Sequence, residues 1–262
     1  MTVYSEPVQI SGGLAVRADV DAARPLPELT AALDAACEQV ESRGERTVLV
    51  LGLGTLPTAA APAELPAWPG RVAIRDVNRW ERALRRLERL DAMTIAVAQG
   101  ACGGPALEAL LTADFRIAGA DFRLLLPVND GHVWPGMAVH RLTQQLGAAK
   151  ARQIVLWGDE IAAGRAHELG LVDQIADDPG EALHTAAVLM GRISDRELAI
   201  RRRLLLEAAA TPYEEALGAH LAACDRELRR LAELPVESDA ESDAGSDAEP
   251  AAAAGTERGE RA

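Results

Sequence analysis

Aromatic residues are scarce, at 3% of 262 residues, with 4 tryptophans, 2 tyrosines and 2 phenylalanines. With 48% apolar residues the chain can bury a proper core, but alanine and leucine must fill it rather than rings. Lysine is almost absent: Lys150 is the only one, and arginine supplies the rest of the positive charge. That bias reads as a high-GC genome and says little about partners. Basic residues are outnumbered 27 to 40, for a formal net charge of -13. This excludes the basic footprint that nucleic-acid binding needs. No apolar run approaches the roughly 18 residues of a membrane span. Met1 to Ser11 carries Glu6 and no basic-then-apolar pattern, so no signal peptide is expected. Cys37, Cys102 and Cys224 lie far apart, without metal-ligand spacing. A reduced, cytoplasmic protein is the expectation.

The hydrophobic pattern alternates strand and helix. Val8–Ile10 and Leu14–Ala18 read as short strands turning at Ser11-Gly12-Gly13. Pro27 opens a helix whose apolar positions Leu29, Leu33, Ala36, Cys37 and Val40 fall three and four apart. Thr47–Leu51 is a continuous apolar run, as in a strand buried on both faces of a parallel sheet. Gly52 to Gly70 holds four prolines and reads as a long loop. Val77 to Leu90 is an amphipathic helix with Trp80, Leu84, Leu87 and Leu90 on one face. Thr94–Ala98 is another buried strand, followed by a glycine-rich turn and a helix from Pro105 to Thr112. Asp114–Ile117, Phe122–Leu125 and Leu171–Ile175 look like further strands, so an α/β class with βα crossovers is expected. Helices are expected at Arg141–Leu146, Ala148–Trp157, Ala162–Leu169, Ser194–Ala209 and Tyr213–Leu234, with glycines 147, 158 and 170 as breaks. The apolar stripes of the last two are wide enough to call for a partner surface, so an oligomer or a packed lid is expected. From Val236 the chain is acidic, small and repetitive, and is expected to stay unstructured.

MTIAVAQGACGGPALEALLTADFRIAGADFRL, followed by WPGMAVHRL and GDEIAAGRAHELGLVDQI, resembles the ordered signature of the crotonase (enoyl-CoA hydratase/isomerase) superfamily over residues 47–176. The resemblance implies a ββα spiral core over 1–176, a helical oligomerisation or lid region over 177–235, and an acidic tail over 236–262. It narrows further. RWERALRRLERL, WPGMAVHRL and ELAIRRRLLLEAAATPYEEALGAHLAACDRELRR look like the hydratase-like components of pathways to 3,5-dihydroxyphenylacetyl-CoA. That thioester supplies the dihydroxyphenylglycine unit of glycopeptide antibiotics. The implied partners are an acyl-CoA substrate, a type III polyketide synthase and a sister crotonase, in a homo- or hetero-oligomer. No cofactor is implied beyond the coenzyme A thioester, and no metal.

Crotonases stabilise a thioester enolate with two backbone N–H donors. Counted without a gap from Gly100 to Asp114, the family's donor glycine falls on Pro105, which has no N–H. Gly104 or Ala106 could replace it, or Pro105 simply opens the helix. The other donor would be Ala63, in Ala60-Ala61-Pro62-Ala63-Glu64-Leu65; the alternative is a plain alanine-rich loop. The same count places Glu108 on one of the family's two acid/base glutamates; the alternative is a solvated helix glutamate. Val128 stands where the second glutamate belongs, with Asn129, Asp130 and His132 close by. Asp130 could take that proton, or Asn-Asp-Gly is only a polar turn. Arg123 and Arg141 could meet coenzyme A phosphates or be ordinary surface charge. Cys102 reads as a small buried hydrophobe.

Overall fold

The computed structural model describes residues 8–10, 13–43, 47–54, 67–126, 128–129, 131–134, 136–158, 160–190, 193 and 195–233. Most of the proline-rich loop and the acidic tail lie outside them, as do Ala63 and Asp130.

Strands β1 (Val8–Ile10) and β2 (Gly13–Val20) form an antiparallel hairpin. β2 then pairs in parallel with β3 (Thr47–Leu53), β3 with β4 (Thr94–Ala98), and β4 with β6 (Phe115–Gly119). β11 (Gln174–Ala176) closes this six-stranded sheet. A second sheet joins β5 (Ala101–Gly103), β7 (Arg123–Leu125) and β10 (Ile161–Ala162); β8 (Val128–Asn129) pairs only with β9 (His132–Val133). This is the α/β arrangement that the alternating pattern predicts. The last strand is shifted from Leu171–Ile175 to Gln174–Ala176 because Leu171 and Val172 are buried in the core instead of pairing. Asp114 stands just before β6, where its side chain makes bonds described below.

β3 is buried along its whole length, and its two faces meet different partners. Leu49, Leu51 and Leu53 enter a large core with α1 (Leu26–Arg43) and α2 (Ile74–Leu87). Val48 and Val50 enter a smaller one with Ile95, Ile117 and the alanines Ala182, Ala186 and Ala187 of α6 (Pro179–Met190). The period of two along the strand sorts the residues, and leucine and alanine do most of the filling. The sequence reading passed over α6, whose small residues carry little periodic contrast. α6 packs against strands of the main sheet, across the division expected at 176.

The amphipathic face of α2 is as expected: Trp80, Ala83, Leu84 and Leu87 are buried. Its start lies earlier than Val77, because the Asp76 carboxylate accepts the Ala73 N–H at 3.2 Å and holds the first turn. The helices expected on either side of Gly147 are two stretches of α4 (Ala138–Trp157), broken where Gly147 takes φ 76° and ψ 156°. α5 (Ala163–Glu168) and α7 (Asp195–Ala208) follow the predicted spans to within a residue or two. The first compact unit runs to Leu217 and the second begins at Gly218; the described part of the second is the remainder of α8 (Tyr213–Glu233). No described helix is long and apolar enough to cross a membrane.

Candidate active site

The short helix α3 (Pro105–Leu110) is buried at every position. It packs against β2, β3, β4 and β5. Glu108 is 1% exposed. The reading of Glu108 as a solvated surface residue is therefore excluded. Its Oε2 accepts a hydrogen bond from Trp80 Nε1 at 2.5 Å, while Oε1 accepts none of good geometry among the described residues. Burial lifts the carboxyl to about 7. The Trp80 bond pulls it back, Glu81 lifts it, and the Trp68 indole and Arg141 lower it. The Trp68 indole thus also acts on the Glu108 carboxyl as a donor that favours the anion.

Three of the 4 tryptophans converge on this carboxyl. Trp68 meets Trp80 edge to face, with ring centroids 5.7 Å apart and planes at 75°. Trp68 also lies over Gly104, where a Cβ would stand 3.1 Å from its Cγ. Gly104 turns the chain into α3 at φ 53°, a conformation that favours glycine. Trp134 approaches from the segment before α4. A Cβ on Gly136 would fall 2.5 Å from Trp134 Nε1 and 2.6 Å from Glu108 Oε1, so only glycine lets them close up here. Gly136→Ala is expected to cost about 1–3 kcal/mol as an overpacking change. It should also shift tryptophan emission, and thermal unfolding followed by fluorescence checks both.

The segment bearing Trp134 and Gly136 is anchored by Arg141. Its Nε donates to Glu88 at 2.6 Å and its Nη1 to Glu81 at 3.1 Å. Arg141 is buried and faces inward, which corrects its reading as a phosphate ligand. Arg123 likewise pairs with Glu160 at 2.8 Å. Cys102 is fully buried, and burial pushes its thiol up to about 12, as suits a small hydrophobe.

Pro105 is the first residue of α3, so Ala106 is the first helical residue that brings an N–H. Gly104 and Pro105 therefore stand at the turn where the sequence places them, next to Glu108 on the same short helix. His132 is exposed on β9. Sequence reasoning missed Trp68 and Trp134, and read Trp80 only as part of an apolar face. Their rarity in the chain was the available signal.

The enoyl-CoA hydratase/isomerase family model matches residues 76–234. An enoyl-CoA-hydratase of Amycolatopsis orientalis is 44% identical over 222 residues, covering 84% of this chain and 98% of the relative. A probable enoyl-CoA hydratase of Bacillus subtilis is 30% identical over 202 residues, covering 74% and 76%. An enoyl-CoA hydratase structure from Shewanella pealeana superposes with a TM-score of 0.68 at 19% identity, covering 86% and 88%. This chain belongs to the enoyl-CoA hydratase/isomerase family and has the crotonase fold.

Proposed function

We propose that the chain dehydrates a polyketide-derived β-hydroxyacyl-CoA on the way to 3,5-dihydroxyphenylacetyl-CoA, working beside a type III polyketide synthase. One observation carries this reading: a deeply buried carboxyl, in register with a family acid/base residue, that burial holds at about 7. Such a group is present in both forms near neutrality, which suits proton transfer in either direction. As carboxylate, Glu108 takes the proton α to the thioester carbonyl. As the resulting acid, it returns that proton to the β-hydroxyl, which leaves as water while the double bond forms. Ala106 N–H, at the start of α3, would face the enolate oxygen in place of the donor that Pro105 lacks. Ala63 and Asp130 complete the proposed set as second donor and second proton carrier. Coenzyme A arrives with the substrate, and no other cofactor is invoked.

A second reading rests on Pro105 and on the depth of Glu108: a crotonase-fold partner that activates the synthase or a sister crotonase within an oligomer. The test is a synthase reaction with malonyl-CoA, run without the chain, with it, and with Glu108→Gln. Acid/base action predicts a higher yield of dihydroxyphenylacetate with the native chain alone. Equal stimulation by both proteins supports the partner role, and no stimulation by either removes the pathway assignment. Crotonyl-CoA hydration should be slow, by the factor of about 10²–10³ that a missing oxyanion donor costs. Rapid steady-state turnover would refute the reading of Pro105.

A further inference from the structure

Of the three indoles gathered at Glu108, those of Trp68 and Trp80 are buried, at 4% and 1% exposure, and both act on the carboxyl as donors. Trp134 differs. Its ring is half-buried, so of the three it is the one that reaches solvent. Its Nε1 and an oxygen of Glu108 lie 2.5 and 2.6 Å from one point beside Gly136, which puts the two atoms within about 5 Å of each other. One oxygen atom set about 2.8 Å from each spans such a gap. No hydrogen bond joins the Trp134 N–H to another described residue.

An indole nitrogen donates and does not accept. It holds an oxygen that is gaining negative charge, but it carries no protons. In a dehydration that oxygen is the β-hydroxyl. As its bond to carbon breaks, the electron pair stays on oxygen until Glu108 delivers the proton taken from the α carbon. The α C–H electron pair closes the double bond, so the step yields one water and one enoyl thioester. The departing oxygen has two lone pairs and accepts from the Trp134 N–H and the Glu108 acid together. From this geometry we propose that Trp134 is a further catalytic residue, whose indole N–H binds the departing hydroxyl that Glu108 protonates. The proposal rests on the dehydration reading above. It gives the site a second polar group although Val128 stands where the family's second glutamate belongs.

Two measurements on the full chain test it. In the reconstituted synthase reaction Trp134→Phe, which keeps a ring and removes the N–H, should lower kcat about ten- to a hundredfold, the scale of one hydrogen bond to a charged group. KM should change by less than about twofold. The limb of the pH profile that reports Glu108 should stay in place, because the lost donor acts on the substrate and not on the carboxyl. The second measurement labels the indole nitrogens with ¹⁵N, giving four N–H signals, one per tryptophan. The Trp134 signal, the one lost in Trp134→Phe, should move downfield with 3-hydroxybutyryl-CoA and stay in place with butyryl-CoA, which lacks the oxygen. A fall in kcat of less than about twofold, or a signal that responds alike to both bound thioesters, overturns the inference. In that case loss of activity in Glu108→Gln still supports the dehydration reading. If neither thioester binds and Glu108→Gln stimulates the synthase as well as the native chain does, the dehydration reading fails and the role of Trp134 falls with it. Should Trp134→Phe fail to fold, the native spectra, assigned through the backbone, decide it alone.

Discussion

Arg202→Met should lower the stability of the protein by about 3–5 kcal/mol, the usual cost of breaking a buried ion pair from one side. Arg202 reaches from α7 into the body of the sheet. Its Nε and Nη2 grip the two oxygens of Asp114 at 2.7 and 2.5 Å, Nη2 also reaches the Ala92 carbonyl at 2.8 Å, and Nη1 donates to the Leu90 carbonyl. Asp114 in turn accepts the Thr94 N–H at 2.8 Å and the Thr94 hydroxyl at 2.7 Å. Removing the guanidinium leaves a carboxylate and two carbonyls short of donors, just where β4 begins and β6 is about to begin. The flanking residues supply the control. Arg201 and Arg203 are largely exposed and, among the described residues, pair along their own helix with Glu197 and Glu207. Such pairs contribute about 0.3–0.5 kcal/mol. Thermal unfolding followed by circular dichroism should show a fall of roughly 10 °C for Arg202→Met and little change for Arg203→Met. Equal shifts in the two variants would sink the clamp.

Glu108→Gln should abolish a specific pH dependence of stability as well as acid/base activity. The folded value of about 7 lies above the ordinary value of 4.5. Below about pH 4.5 the group is neutral in both states and costs nothing. As pH rises from there through 7, the unfolded chain ionises first and is favoured, so the folded state loses stability and then levels off. The full difference is on the order of 3 kcal/mol. Glutamine cannot ionise, and its carbonyl can still accept from Trp80. The variant should match the native protein near pH 4.5 and exceed it in Tm at pH 8. Its turnover in the reconstituted reaction should fall by about 10²–10⁴, the usual contribution of a general acid or base. Identical slopes of Tm against pH for the two proteins would show that Glu108 is not a buried acid.

Much of the fold was legible because strands buried on both faces leave unmistakable apolar runs, and the α1 and α2 faces leave clear helical spacing. The elements that escaped are small or weakly patterned: β5 of 3 residues, β8 to β10 of 2, and the alanine-rich α6. Glu108 was legible as a candidate because the glycine turn and Asp114 bracket it at a countable spacing. Its partners were not, since Trp68, Trp80 and Trp134 come from three separated stretches and meet only through packing. The arginine run shows the same limit. Arg201, Arg202 and Arg203 are alike as letters, and only the orientation of α7 makes the middle one an internal strut. Arg141 went wrong for a related reason, because charge suggests solvent and phosphate until Glu81 and Glu88 are seen to enclose it.

The Asp114 knot also orders events at the ribosome. Asp114 follows Thr94 out of the exit tunnel after 20 residues, but the guanidinium that completes their shell lies 88 residues behind Asp114. At elongation rates of about 5–20 residues per second, that gap is on the order of ten seconds. Throughout it the partly buried Asp114 carboxylate has, of the partners named above, only Thr94. Docking of α7 onto Asp114 therefore comes late, after the strands that it clamps have been made.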